Sequence, residues 1–209
     1  MIGKAGAGKD AIQTASCHLH PTIFNKIVSC TTRPPRDNEK DGVDYHFLSV
    51  EDFTRKVLNG DMLEATEFRG WFYGTSIDSL VEDKINIGVF NPAGIETLLE
   101  MPGISVMVVL VEAKDKTRLM RYLQRSENPD CAEMCRRYTT DEKDFADLSF
   151  DYYQLTNENG DCLDITDENR LKTPLARMWY QTGAPLEIFE ESTRKLIKAK
   201  TTDNLDNTD

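Results

Sequence analysis

Apolar and polar positions along this chain follow two alternating periods. Five short stretches, residues 24–30 (FNKIVSC), 43–49 (VDYHFLS), 61–68 (DMLEATEF), 86–90 (NIGVF) and 104–111 (ISVMVVLV), have strand composition and are bounded by glycine, proline or polar residues. Between them the spacing turns helical. Ser49 opens residues 49–60 with a hydroxyl that can cap the first turn, Glu51 and Asp52 suit its positive end, and Gly60 supplies the stop. Residues 114–125 and 130–148 predict two more helices, rich in arginine and lysine on one side and separated by the breaker SENPD. The unbroken apolar run 104–111 predicts a strand buried on both faces, as in a parallel sheet covered by helices, so the pattern points to an α/β fold. After Asp151 the pattern predicts a last strand with a turn at Asn159 and Gly160, short helices over 168–181 and 185–200, and a polar, disordered tail at 201–209.

Composition narrows this picture. At 209 residues and 39% hydrophobic, the chain can bury one good-sized core with a small appended subdomain. A net charge of −11 argues against the broad basic face that nucleic acid or an acidic membrane needs, so an anionic ligand must meet a local basic cluster. The cysteines (Cys17, Cys30, Cys131, Cys135, Cys162) are scattered rather than paired at zinc-site spacings, which fits reduced thiols in a cytoplasm. The run 104–111 is too short to cross a bilayer, and the amino terminus carries no secretory hydrophobic segment; the expectation is a soluble cytoplasmic protein. The stretch CHLH at residues 17–20 is not read as a metal cluster, because adjacent residues at a helix end point in different directions. Cys131 and Cys135, four apart on a predicted helix, are read as packing residues.

Residues 3–10 read GKAGAGKD. Gly3, Gly8 and Lys9 match G-x-x-x-x-G-K, a loop (Gly3, Lys4, Ala5, Gly6, Ala7, Gly8) whose backbone N–H groups point at phosphate oxygens while the next helix presents its positive end. Lys9 adds a movable charge between the outer phosphates. A flexible glycine-rich turn is the plain alternative; the helical pattern directly after it favours the phosphate loop. Asp10 stands where a serine or threonine would offer magnesium a hydroxyl, and its charged oxygen is also a hard ligand for that ion. Only Met1 and Ile2 precede Gly3, so the first strand reads as truncated: either residues are lost upstream or the sheet tolerates a gap at its centre. Truncation is the expectation, with unpaired backbone groups left on the neighbouring strands.

Residues 28–47 (VSCTTRPPRDNEKDGVDYHF) carry S-x-T-T-R-x-P-R followed by Glu39, Gly42 and Tyr45, and residues 62–76 (MLEATEFRGWFYGTS) place an acid after a strand and then Tyr-Gly-Thr. In that order these segments closely resemble guanylate kinases, over about residues 1–158. The resemblance implies a P-loop NTPase-type parallel sheet flanked by helices within a domain over residues 1–160. It further implies a monophosphate-binding subdomain at about 33–80 and a lid at about 118–137; residues 161–200 are expected as a helical extension. It implies phosphoryl transfer from ATP, with Mg2+, to GMP or dGMP.

Arg33 and Arg36 suit a monophosphate as planar multi-donor groups, with Tyr45 and Tyr73 as neutral hydroxyl donors. Guanine presents N1–H and an exocyclic amine side by side, which one carboxylate can take together; Glu64 fits that role, with Ser29 and Thr75 as hydroxyl partners. Arg121, Arg125 and Arg136 fit the spacing of the family's lid arginines, with Arg118 and Arg137 in reserve. Asn157 resembles the asparagine near the adenine pocket. Where the family shows Asp-x-Asp before a glycine, this chain reads VFNPAG, with Val89 and Asn91 at the acidic places and Gly94 as the glycine. Asp10 is therefore expected to compensate in holding magnesium, and Asn91 to alter how the base or sugar is read. Two alternatives stay open: broader base specificity, and a non-catalytic interaction module.

Overall fold

The computed structural model describes residues 1–158 apart from 37, 38 and 69; the predicted turn at Asn159 and Gly160, the helices over 161–200 and the tail at 201–209 lie outside the described residues. In chain order the elements are α1 (Lys9–Leu19), β1 (Phe24–Lys26), β2 (Cys30–Thr31), β3 (His46–Phe47), α2 (Val50–Leu58), β4 (Met62–Phe68), β5 (Trp71–Ser76), β6 (Ile85–Ile87), α3 (Pro92–Leu99), β7 (Val109–Glu112), α4 (Asp115–Leu123), α5 (Cys131–Asp144) and β8 (Tyr153–Thr156).

β1 pairs in parallel with β6, and β7 with β8. Met1 and Ile2 stand between the two pairs and join them. On one side Phe90 N–H donates to Met1 O at 3.0 Å; on the other, Ile2 N–H donates to Val109 O at 2.9 Å and Val111 N–H to Ile2 O at 2.8 Å. The first strand, read as truncated with unpaired groups on its neighbours, is represented by these two residues, whose backbone groups pair on both sides. Side-chain alternation then divides the core between two faces. Met1, Ala7, Ile12, Phe24, Ile87, Val111 and Leu155 pack on the α1 side. Ile2, Ile95, Leu98, Val108 and Leu110 pack on the α3 side. Burial on both faces accounts for only the end of the apolar run, at Val108, Leu110 and Val111; Ile104 and Ser105 are exposed, and the strand begins at Val109, where Ile2 and β8 offer ladder partners.

A second sheet has the order β3-β2-β5-β4, antiparallel except where β2 meets β3. α2 covers it, with Phe53 fully buried and stacked on Phe72 at 5.6 Å between centroids. The Ser49 hydroxyl caps α2 by accepting from Asp52 N–H at 3.0 Å, as the sequence predicts. The predicted strand over 24–30 is divided between the two sheets: Ile27 N–H still donates to Ile87 O at 2.9 Å, whereas Ser29 O already accepts from His46 N–H at 2.9 Å. The hydrophobic pattern predicted neither β5 nor α3. Cys131 and Cys135, expected to pack, are exposed instead. Among the described residues no helix is long and apolar enough to cross a membrane.

Candidate active site

The loop of residues 3–8 closes tightly on the carboxyl ends of β7 and β8. Gly3 and Gly8 have φ of +150° and +98°. A Cβ at Gly3 would lie 2.3 Å from Val111 O, and one at Gly8 would lie 2.4 Å from Asn157 Nδ2, so only glycine permits this approach. Gly8 precedes α1 without a side-chain cap, which leaves the first N–H groups of the helix, and its positive end, facing the loop. Lys9 folds over the loop: Nζ donates to Gly3 O at 2.6 Å and to Lys4 O at 3.3 Å. Burial pushes its pKa down, partly opposed by the charges of Asp10 and Asp141. Ala5 N–H donates to Asp141 Oδ2 at 2.7 Å. Asn157 is 2% exposed; its Nδ2 donates to Ala7 O at 2.8 Å, and its buried Oδ1 has no partner.

On the second sheet Arg33 is almost wholly buried. It lies 4.8 Å from the ring centroid of Tyr45 and 5.6 Å from that of Phe47, with Tyr73 edge-on to Tyr45 at 6.2 Å. Glu39 takes two of its guanidinium donors and also accepts from Arg36 N–H at 2.9 Å, so one carboxylate orients both arginines. The Tyr45 hydroxyl has its pKa raised by burial and then by the negative charge of Asp10. The sequence named Glu39 within its motif but assigned it no task.

Glu64 and Thr75 face one another where a register shift between Met62 and Glu64 re-aims β4. Thr75 Oγ1 donates to Glu64 Oε1 at 2.9 Å, and burial raises the carboxyl pKa to about 7 despite that bond. Ser29 precedes Cys30, which pairs with Gly74, so the register carries Ser29 toward Thr75. Asn91 caps α3: its Oδ1 accepts from Gly94 N–H at 2.7 Å. A Cβ at Gly94 would lie 3.1 Å from Asn91 Oδ1 and 3.6 Å from Glu64 Oε2, so the two side chains border one small space.

The arginines of α4 and α5 divide into different duties. Arg121 donates to Gly6 O (3.1 Å), Ala7 O (3.2 Å), Asn157 O (2.8 Å) and Glu158 O (3.1 Å), stapling the loop to the segment after β8. Arg125 is exposed, and its charge acts on Lys9. Arg136 and Arg137 share Glu133 as acceptor. Burial and then the charge of Arg137, one of the two reserve arginines, lower the pKa of Arg36. Arg118, the other reserve residue, is buried against the loop and points at Ala5 and Asp141.

A helix-flanked parallel sheet, a glycine loop opening α1, and an arginine–tyrosine clamp on a second small sheet define an α/β protein of the P-loop nucleotide-binding class. The chain belongs to the guanylate kinase family, whose model matches residues 1–165. It is 32% identical to a guanylate kinase of Clostridium perfringens over 164 residues, covering 76% of this chain and 74% of that one. It is 41% identical to one from Frankia casuarinae over 101 residues, 48% of this chain and 50% of that one. It thus spans about half the length of the first curated relatives it matches. The crystal structure of guanylate kinase from Anaplasma phagocytophilum superposes with a TM-score of 0.53 at 24% identity, over 78% of this chain and 77% of that one. That likeness supports the fold.

Proposed function

We propose that the chain transfers the γ-phosphoryl group of ATP to GMP or dGMP, giving ADP and the corresponding diphosphate. The observation that carries this reading is a glycine loop opening α1, with Lys9 folded over it, in a chain that also holds Arg33 buried between Glu39 and the Tyr45 ring. In this reading residues 3–10 receive the ATP phosphates, and Asn157 Oδ1 awaits a donor such as the exocyclic amine of adenine. Residues from about 33 to 80 bind the monophosphate: Arg33, Arg36, Tyr45 and Tyr73 take its phosphate, and Glu64, Thr75, Ser29 and Asn91 read its base. Residues from about 118 to 137 form the lid, from which Arg125 and Arg136 approach the transferring group beside Arg121.

The acceptor is an anionic phosphate oxygen, so the chemistry needs no general base. It needs alignment of the two phosphates and neutralisation of charge on the transferring oxygens. Lys9 and the arginines supply positive charge inside a cleft from which lid closure excludes water. Mg2+ fits the donor set modestly. Asp10 offers one exposed carboxylate at the loop, Val89 offers no ligand, and magnesium commonly uses one or two carboxylates plus substrate phosphates. Asp10 would hold it, directly or through water, and the ion would supply charge to the phosphate oxygens.

A second reading is broader base use, since Asn91 stands where the resemblance expects an acid and an amide carries donors that a carboxylate lacks. A cytoplasmic setting is part of this reading, and it rests on the scattered spacing of the cysteines in the sequence. A coupled ADP-release assay with ATP, Mg2+ and a panel of monophosphates tests the proposal. GMP or dGMP should stimulate release most. Stimulation by another base would support the second reading, and no stimulation by any monophosphate would point to an interaction module and reject an enzyme.

A further inference from the structure

We infer that Asp141 and Arg118 are positioning residues which hold the backbone N–H and C=O of Ala5, in two successive peptide units, and so set the shape of the phosphate loop before ATP arrives. Ala5 N–H donates to Asp141 Oδ2 at 2.7 Å, and Arg118 Nε donates to Ala5 O at 2.9 Å. The two side chains are themselves joined, Arg118 Nη2 donating to the same Asp141 oxygen at 2.8 Å. Arg118 is held in turn by Asp115 at 2.8 Å and lies 5.4 Å from the ring of Tyr138, whose hydroxyl donates to the other Asp115 oxygen at 2.6 Å. Lys4 bonds to Glu142, the next residue of α5. The backbone of α4 also abuts the loop, since a Cβ at Gly6 would lie 2.8 Å from Arg118 O.

Such a cluster is a poor way to gain stability alone. Burying a charged pair costs about what its attraction returns, and apolar residues of similar volume serve as well or better. It does something apolar residues cannot: it holds one peptide N–H and its own residue's carbonyl at set angles, in a loop whose glycines at 3, 6 and 8 allow many others. A phosphate loop binds through the directions of its N–H groups, so constraint applied beforehand lowers the ordering cost of binding. Arg118 lies on α4 and Asp141 on α5, so the constraint comes from two helices, one side chain from each.

This inference rests on ATP occupying the loop, and its test separates the two claims. Hydrogen exchange at the Ala5 amide, measured without nucleotide, should quicken by about tenfold or more in Asp141→Ala and by less in Asp141→Asn, which keeps an acceptor but loses the ion pair. Calorimetry should show ATP binding weakened by about tenfold in Asp141→Ala and in Arg118→Met, with GMP affinity changed by less than about twofold. Unchanged Ala5 exchange would overturn the inference, as would equal weakening of ATP and GMP in step with a fall in Tm. If Asp141→Ala does not fold, Asp141→Asn carries both measurements. If the wild-type protein binds no ATP, the proposed function fails, and the exchange result still decides the positioning role.

Discussion

Glu39 meets Arg33 end on, its two carboxylate oxygens accepting from Nη1 and Nη2 at 2.6 and 2.7 Å. Arg33 is nearly buried, and Glu39 is shielded enough that solvent screens the pair little. The paired geometry holds the guanidinium flat beside Tyr45, where a monophosphate can take its remaining donors.

Glu39→Gln should therefore raise the KM for the monophosphate by about tenfold while leaving that for ATP nearly unchanged, and should lower stability by about 2 kcal/mol. Burial opposes ionisation of Glu39, but its bonds to Arg33 and Arg36 outweigh it and its pKa lies below the ordinary value. The stabilisation is then full above the ordinary carboxylate pKa and fades as pH falls through the lowered one. Urea melts of both proteins across acid pH should converge at the low end.

Glu64 predicts the opposite slope. Its folded pKa of about 7 stands above the ordinary 4.5, so the native state binds this proton more tightly than the unfolded chain. Ionising it costs stability on the order of 3 kcal/mol above pH 7, and the cost disappears as pH falls toward 4.5. Binding guanine through N1–H and the amine requires the ionised form. The KM for GMP should fall as pH rises through about 7, and Glu64→Gln should raise KM and flatten that profile.

Asp10 should govern the magnesium requirement. Asp10→Ala should reduce turnover and raise the magnesium concentration needed for half-maximal rate far more than Asp10→Ser, which restores a hydroxyl oxygen. Equal turnover in wild type, Asp10→Ala and Asp10→Ser across a magnesium titration would remove Asp10 from the metal site.

Asn91→Asp should sharpen base choice. An aspartate can still cap α3 through one oxygen and present the other as an acceptor to the guanine amine. The ratio of kcat/KM for GMP over IMP, which lacks that amine, should rise by about tenfold. An unchanged ratio would place Asn91 away from the base.

Local chemistry was legible in the sequence wherever one segment decides its own structure. The glycine loop and the Ser49 cap are of this kind, since turn and cap preferences act over a few residues. What depends on a distant partner was not. The apolar run 104–111 suggests one long buried strand, but only Val108, Leu110 and Val111 are buried, and the ladder begins at Val109, where Ile2 and Tyr153 supply partners. Residues 24–30 change sheets midway, which no periodicity reveals. In the candidate site, Arg33 and Glu64 were legible through motif order. The duties of Glu39, Arg118 and Asp141 were not, because each is defined by a neighbour it meets in space: Glu39 through a turn, and Arg118 through Asp141, 23 residues further on.

The central claim is that two nucleotides lie end to end, one in the loop of residues 3–10 and the other on Arg33 and Glu64. A crystal structure with a non-hydrolysable ATP analogue, Mg2+ and GMP tests it most directly. The account predicts the GMP phosphate bonded to Arg33, Arg36, Tyr45 and Tyr73, with the guanine edge on Glu64 and the analogue's phosphates over Gly8 and Lys9. GMP bound away from Arg33 and Glu64 would contradict it.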